Sequence, residues 1–330
     1  MKKILNHLFD HKTLTKSEAE EVLTNIASGS YSDPEIAAFI TVYLMRAVTV
    51  DEMSGFRDAL LNLCRRVDLN GFDTIDLCGT GGDGKDTFNI STIAVFITAG
   101  AGALVAKHGN YAVSSSCGSS NVMELLGYRF SADNDKLKRE LEKTGVCFMH
   151  APLFNPAMKN VVPVRRSLKV KTFFNMLGPM VNPAFPDKQM VGVFSPAVAR
   201  LYNYLYQTGG KEYIIIHSLD GYDEVSLTSP FKYLSGHTEL LLGPETFLLP
   251  QLKPEDLAGG STPEESARIF RNILEGEGTT AQRNVVLANS AVALKCYYPE
   301  MSLTDTFAMA TESLDSGRAL ESLNKLISMQ

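Results

Sequence analysis

The feature that most constrains the fold is a glycine-rich loop between a short β-like run and a helix. Residues 72–77 form the run, and residues 78–91 follow as Cys-Gly-Thr-Gly-Gly-Asp-Gly-Lys-Asp-Thr-Phe-Asn-Ile-Ser. Glycines after a strand let the backbone approach a ligand, and the N-terminus of the next helix adds partial positive charge. The loop therefore predicts a phosphate or diphosphate site, with a plain structural turn as the alternative.

Strand-like and helix-like segments alternate after this loop. Apolar runs end near residues 106, 150, 194 and 217, with helical stretches at about 92–101, 119–127, 135–144 and 196–208. The alternation predicts an α/β domain with a largely parallel sheet, whose ligands lie at the carboxyl ends of its strands. We expect three loops to meet there, at residues 78–91, 107–119 and 218–228.

The chain before this α/β pattern is helical in character. Thr15 and Glu18 have the spacing of a capping box, and apolar residues recur at helical spacing from Ile36 to Leu44. The pattern returns to helix after Thr262 and continues to the end of the chain. We expect a small all-α domain over residues 1–70 and a large α/β domain over 71–330.

Composition narrows the class of protein. The formal net charge of −6 over 330 residues argues against a duplex-binding surface, which would bring clustered Lys and Arg. There is no apolar run long enough for a transmembrane helix, and polar residues interrupt the start of the chain where a signal peptide would need an apolar core. The five cysteines are scattered without metal-ligand spacing, so we expect reduced thiols in a cytoplasmic protein.

The spacing of the glycines also matches two nucleotide-binding motifs, each incompletely. Gly79, Gly81 and Gly84 satisfy the dinucleotide fingerprint, but the next strand ends in Lys107 instead of an acidic residue, which leaves only an NADP interpretation. The same stretch begins like a P-loop, yet Asp86 stands where Ser or Thr would hold Mg²⁺. Neither pattern uses the residues around the glycines.

A third interpretation uses more of the sequence. Hydroxyl and amide side chains surround the glycines, and Lys107 would supply a positive charge for phosphate. A second loop of small residues, 114–120, runs into another helix. Two such loops suit a ligand with phosphates at two places, such as a sugar with a 5-phosphate and a 1-diphosphate.

Two adjacent carboxylates, Asp223 and Glu224, follow a strand that ends near residue 218. Mg²⁺ prefers oxygen ligands and binds diphosphates through few protein groups and several waters. The pair therefore predicts a magnesium site, and a solvated acidic turn is the alternative.

These motifs together resemble the anthranilate phosphoribosyltransferases, in family order and over nearly the whole chain. The segments that carry the likeness are Gly79-Thr80-Gly81-Gly82-Asp83, Asn89-Ile90-Ser91-Thr92, Lys107-His108-Gly109-Asn110, Pro163-Val164-Arg165-Arg166, Phe174-Asn175-Met176-Leu177-Gly178-Pro179 and Asp223-Glu224-Val225-Ser226. The resemblance implies a nucleoside phosphorylase-like fold. It also implies a homodimer formed through the helical domain, to which a segment near 165–190 would return.

The resemblance further implies an activity: transfer of the phosphoribosyl group of 5-phosphoribosyl 1-diphosphate to the amino group of anthranilate, in tryptophan biosynthesis. Residues of both loops would hold the phosphoribosyl diphosphate: Gly79, Gly82, Asp83, Thr87, Asn89, Ile90, Ser91, Thr92, Lys107, His108, Gly109, Asn110, Ser114, Ser115 and Ser119. Anthranilate would contact Gly79, Asn110 and Arg165, whose guanidinium can bond a carboxylate through two N–H groups. Asp223 and Glu224 would bind Mg²⁺, Ser91 would bind a second Mg²⁺, and no covalent nucleophile is expected.

Two other functions compete with this one. A nucleoside phosphorylase of the same fold would need no Mg²⁺-diphosphate site, so Asp223 and Glu224 argue against it. A catalytically silent member that binds nucleic acid conflicts with the negative charge. Some positions also depart from the usual family pattern, namely Tyr111, Asn155 and Ser120-Asn121, and these concern the details of substrate approach.

Overall fold

The computed structural model describes residues 1–112 and 117–330. The chain divides into two compact units, each with its own interior. The first consists of Met1–Arg66 and Ala151–Pro183, and the second of Val67–His150 and Ala184–Gln330. The chain therefore leaves the helical unit, builds half of the second unit, and returns before completing the rest.

Helices make up the first unit. They are α1 (Lys2–Phe9), α2 (Lys16–Ala27), α3 (Asp33–Met45), α4 (Val50–Leu63), α8 (Ala151–Phe154) and α9 (Val162–Leu168). Short 3₁₀ turns at Pro156–Asn160, Phe173–Met176 and Gly178–Met180 complete the returning segment. The predicted capping box starts α2: the Thr15 N–H donates to Glu18 Oε2 at 2.8 Å, and the Glu18 N–H donates to Thr15 Oγ1 at 3.3 Å.

Strands and helices alternate in the second unit. The strands are β1 (Thr74–Gly79), β2 (Leu104–Gly109), β3 (Val146–His150), β4 (Lys188–Gly192), β5 (Glu212–Ser218), β6 (Phe231–Ser235) and β7 (Thr238–Leu242). The helices are α5 (Ile90–Gly100), α6 (Ser119–Leu125), α7 (Asn134–Thr144), α10 (Pro196–Gln207), α11 (Pro263–Leu274), α12 (Thr280–Tyr297), α13 (Leu303–Asp315) and α14 (Arg318–Ser328).

Within the described residues the seven strands form one sheet in the order β3-β2-β1-β4-β5-β6-β7. The first five are parallel, and β6 and β7 join as an antiparallel hairpin. The order runs outward from β1 on one side and from β4 on the other. Such a reversal opens a crevice at the carboxyl ends of the two central strands, where ligands bind in open α/β sheets.

Apolar burial explains the central position of two helices. In α5 and α12 nearly every side chain from Ile93 to Ile97 and from Val285 to Leu294 is inaccessible to solvent. Helices that are apolar on all sides need neighbours on all sides. These two helices therefore form part of the interior of the second unit, which supports the sheet and its loops.

The α/β class, the largely parallel sheet and the helical N-terminal block agree with the expectations from sequence. The hairpin β6–β7 was not predicted, although Gly236 at a two-residue turn between short strands is a recognised hairpin signal. All five cysteines are free thiols. Among the described residues no helix has the length and apolar character that a membrane span requires.

Candidate functional site

The glycine-rich loop leaves the carboxyl end of β1, at the crevice where the strand order reverses. Gly81, Gly82 and Gly84 all have positive φ, which side-chain-bearing residues rarely adopt. The loop is then tied to a distant segment: the Phe88 N–H donates to the carbonyl of Leu257 at 3.2 Å. The glycines therefore give the loop its path, and backbone contacts hold it there.

Thr87 lies in the part of the loop that is hydrogen-bonded to this distant segment. It forms an isolated antiparallel bridge with Ala258, and the Gly259 N–H donates to the Asp86 carbonyl at 2.8 Å. Thr87 remains partly exposed. The predicted ligand residue thus lies on a fixed stretch of the loop.

Three carboxylates meet beside this loop. One oxygen each from Asp83, Asp223 and Glu224 lies within 4.8 Å of the others. Asp83 comes from the glycine-rich loop, whereas Asp223 and Glu224 come from the turn after β5. The sequence predicted the adjacent pair as a metal site and assigned Asp83 only to the phosphoribosyl diphosphate.

The electrostatics of this cluster favour a cation. Burial, followed by the nearby Asp83 charge, raises the pKa of Asp223, and burial followed by the Asp223 charge raises the pKa of Glu224. No Lys or Arg side chain forms an ion pair with Asp223 or Glu224 within the described ranges. The Glu224 Oε2 atom is buried and has no hydrogen-bond partner there. A hard divalent cation would satisfy all three carboxylates.

The N-terminus of α5 supplies the next group of predicted residues. Ile90 and Thr92 bury their side chains, so only their backbone can face a ligand. The Ser91 N–H interacts with the Glu224 carboxylate. Asn89 donates from Nδ2 to the Cys117 carbonyl at 2.9 Å, and its Oδ1 is buried without a partner among the described residues. The positive end of the helix dipole at this N-terminus favours a negatively charged group.

Lys107 lies deeper than its predicted role suggests. Its side chain is almost entirely buried, and Nζ donates to the Leu77 carbonyl at 2.6 Å. Burial lowers the pKa of this ammonium, with nearby Asp76 and Glu224 acting in the opposite direction. Its positive charge is therefore buried, near the carboxylates of Asp76 and Glu224. His108 is also buried, and its N–H donates to Asp76 Oδ1 at 3.2 Å.

Hydrogen bonds join residues 110–112 to residues 118–121, on the two sides of the second predicted loop. Ser119 Oγ donates to the Asn110 carbonyl at 3.2 Å, which brings two predicted ligand residues together. A Cβ on Gly109 would lie 2.6 Å from Ser119 Oγ, so only glycine allows this approach. Asn121 Oδ1 accepts the N–H groups of Ala112 and Gly118, both at 3.0 Å. Ser114 and Ser115 lie outside the described residues.

Arg165, the predicted partner of a carboxylate, belongs to the helical unit on α9. Its Nη2 donates to Asn175 Oδ1 at 3.3 Å, and its guanidinium carbon lies 5.5 Å from the Phe174 ring centroid. Burial lowers the pKa of Arg165. Its neighbour Arg166 is exposed.

Sequence reasoning missed the residues that hydrogen-bond to the backbone of the turn containing Asp223 and Glu224. Ser218 Oγ donates to the Glu224 carbonyl at 2.6 Å. Asn289, in the middle of α12, accepts the Val225 N–H at 3.0 Å and donates to the Val225 carbonyl at 2.9 Å. A polar residue within the buried and largely apolar stretch of α12 was the signal available for Asn289.

A curated relative decides the family. An anthranilate phosphoribosyltransferase of Christiangramia forsetii is 57% identical over 326 residues, covering 99% of this chain and 98% of that protein. The chain belongs to the anthranilate phosphoribosyltransferase family. The predicted family is therefore confirmed.

Family models and solved structures agree with this membership. Residues 71–320 match the glycosyl transferase family a/b domain, and residues 2–64 match its helical bundle domain. The anthranilate phosphoribosyltransferase of Thermus thermophilus superposes with a TM-score of 0.92 at 32% identity, covering 98% of each chain. That of Saccharomyces cerevisiae, in complex with PRPP and Mg, gives 0.92 at 26% identity, covering 98% of this chain and 96% of that one. The predicted fold, a small helical domain and an α/β domain, is confirmed.

Proposed function

We propose that this protein joins the phosphoribosyl group of 5-phosphoribosyl 1-diphosphate to the amino group of anthranilate and releases diphosphate. The convergence of Asp83, Asp223 and Glu224 beside the glycine-rich loop is the observation that carries the proposal. A metal-binding carboxylate cluster beside an anion-binding loop suits a diphosphate leaving group. A phosphorylase that uses free phosphate has no need of that combination.

Mg²⁺ fits the residues present. Asp223 and Glu224 would hold one ion, and Ser91 would contribute to a second, as the family resemblance implies. The raised pKa values and the unpartnered Glu224 Oε2 support a cation at the carboxylates. When bound, Mg²⁺ neutralises charge that develops on the departing diphosphate.

The loops would hold the phosphoribosyl diphosphate. Gly82 and Asp83 lie on the glycine-rich loop, and Ser91 lies at the start of α5, where the positive end of the helix dipole favours an anion. Asn110 and Ser119 are joined by a hydrogen bond on the second loop. Backbone donors fixed before the ligand arrives cost no reorganisation during the reaction.

Arg165, Asn110 and Gly79 would contact anthranilate. The Arg165 guanidinium makes one hydrogen bond to a neutral amide and no ion pair within the described residues, so its charge remains available for a carboxylate. The acceptor is an aromatic amine, which is mostly neutral near pH 7. Attack therefore needs no strong base, and positioning of the two substrates supplies most of the catalysis.

We further propose a homodimer that associates through the helical unit. Phe9 at the end of α1 is 58% exposed, and Met45 at the end of α3 is 84% exposed. Leu44, beside Met45, is also exposed. Exposed apolar side chains of this size are typical of a protein contact, and a second copy of the helical unit would cover them.

An activity assay tests the proposal directly. The protein is mixed with 5-phosphoribosyl 1-diphosphate, Mg²⁺ and anthranilate, and the loss of anthranilate fluorescence is followed. EDTA should stop the reaction, and excess Mg²⁺ should restore it. Replacing Asp223 and Glu224 together with Ala should abolish turnover, whereas Glu300→Ala at an exposed position is the control.

Two outcomes would contradict the proposal. Full activity of the folded double variant would remove the acidic pair from the mechanism. Consumption of phosphoribosyl diphosphate without any loss of anthranilate would leave the sugar donor in place and reject the acceptor.

A further inference from the structure

Two glycines face each other at the carboxyl ends of β1 and β4. Gly79 and Gly192 are partners in the parallel register of these strands. A Cβ on Gly79 would lie 2.4 Å from Asp223 Oδ2, and a Cβ on Gly192 would lie 1.4 Å from the Asp223 carbonyl oxygen. Both distances are far inside van der Waals contact. Neither glycine is among those with positive φ. Glycine is therefore needed at these positions to leave space for Asp223, and not to allow an unusual backbone conformation.

Asp223 therefore lies directly on a surface made of two glycine backbones, which we call the glycine platform. Its carboxylate is fixed from another side, because the Gly81 N–H donates to Oδ2 at 2.7 Å. The following residues are held by Ser218 and Asn289. The turn can keep this position only while the platform has no side chains.

We propose that Gly192 is a positioning residue for the metal-binding carboxylate of Asp223, and that Gly79 shares this role. The inference rests on the divalent cation site of the proposed function. The inference assigns a role at the site to strand β4, which none of the sequence motifs includes. It also gives Gly79 a second role, in addition to contact with a substrate. The class of ligand is a hard divalent cation bound through oxygen.

The expected sensitivity follows from coordination geometry. Mg²⁺ requires near-octahedral ligands at about 2.0–2.1 Å, so a carboxylate displaced by several tenths of an ångström no longer binds well. A methyl group on Gly192 would meet the backbone of residue 223 and must move the turn. A methyl group on Gly79 would meet only the end of the Asp223 side chain, which can rotate away.

Binding of Mn²⁺ to the intact chain without substrates tests the inference, with the free Mn²⁺ signal followed by electron paramagnetic resonance. Gly192→Ala should weaken binding at least tenfold, and Gly79→Ala should weaken it by a smaller factor. Gly209→Ala is the matched control, because its Cβ would meet only ordinary contacts at 3.5 Å or more, and its binding should equal that of the wild type. Wild-type affinity in a folded Gly192→Ala protein would overturn the inference.

A double-variant comparison keeps the inference testable if Gly192→Ala does not fold. Gly79→Ala should weaken Mn²⁺ binding in the wild type and change nothing further in an Asp223→Ala background, because no carboxylate is left to displace. Equal losses in both backgrounds would overturn the role. A wild-type protein that binds no Mn²⁺ would overturn the cation site itself, which is distinguishable from unchanged binding in the glycine variants.

Discussion

Arg165 carries a charge that the described part of the chain does not neutralise. Within the described residues its side chain donates a hydrogen bond to Asn175, a neutral amide, and its guanidinium lies against the Phe174 ring. A partly buried guanidinium without a carboxylate is costly unless a ligand supplies one. The arrangement suits an acceptor that carries a carboxylate.

Arg165→Ala should therefore impair use of anthranilate. Hydrogen bonds to charged groups contribute about 1.5–3 kcal/mol, and about 1.4 kcal/mol corresponds to a tenfold change. The KM for anthranilate should rise by roughly ten- to a hundredfold. The KM for 5-phosphoribosyl 1-diphosphate should change far less, as steady-state kinetics with each substrate varied would measure.

The exposed Arg166 provides the control for this prediction. Arg166→Ala should leave both KM values near those of the wild type. If Arg165→Ala weakens both substrates equally, the residue supports the fold or the phosphate site instead. If it changes neither, anthranilate is bound elsewhere.

At the scale of elements, one buried carboxylate joins three segments of the helical unit. Glu52 on α4 accepts the Leu14 N–H before α2 at 3.0 Å and the Tyr43 hydroxyl of α3 at 3.2 Å. Arg46 follows α3 and donates to Glu52 from both Nη atoms, and Glu52 also accepts the Thr49 N–H at 2.9 Å. Glu52, the glutamate of the capping box of α4, therefore also connects α4 to α3 and to the segment before α2.

Glu52→Gln should destabilise the helical unit, because it removes the charge that Arg46 faces. The loss should be about 1–3 kcal/mol at pH 7, the usual cost of an unsatisfied buried polar group. Chemical denaturation followed by circular dichroism measures the free energy of unfolding. Glu21→Ala, at an exposed position on α2, should leave it within about 0.5 kcal/mol.

The same carboxylate predicts a pH dependence. Burial alone would raise the pKa of Glu52, but Arg46 and the N–H groups of Thr49 and Leu14 outweigh burial, and the pKa is lowered. The stabilisation is therefore complete above the unfolded value of about 4.3 and is lost as pH falls through the folded pKa. The stability difference between wild type and Glu52→Gln should shrink below about pH 4. A difference that does not change with pH would contradict this account.

At the scale of the whole molecule, association should depend on the exposed apolar side chains of the helical unit. Met45→Glu would introduce a charge into the proposed contact of the helical unit, where the side chain is 84% exposed. The variant should elute as a monomer, whereas the wild type should have twice the chain mass by size-exclusion chromatography with light scattering. Leu248→Glu is the control, because Leu248 is 92% exposed but belongs to the α/β unit. A dimeric Met45→Glu protein would reject this surface.

The predicted helices and strands show which parts of the fold depend on local sequence. Helix starts such as Thr15 to Glu18 and the strand before the glycine-rich loop were predictable, because capping and glycine patterns act over a few residues. The hairpin β6–β7 was missed because its short strands have little alternation; β7 is mostly exposed, and β6 is mostly buried. The assignment of individual ligand residues stays a prediction.

The parallel strands with their intervening helices, the two loops of small residues and the adjacent carboxylates could be predicted from the sequence, since each depends on a contiguous motif. The tertiary structure decided that Asp83 joins Asp223 and Glu224, that Gly192 lies opposite Gly79, and that the Lys107 ammonium is buried. Asn289 reaches Val225 because α12 packs against β4 and β5 of the sheet. These pairs are distant in the chain, and parallel strands bring them together because crossover connections return every strand to the same edge.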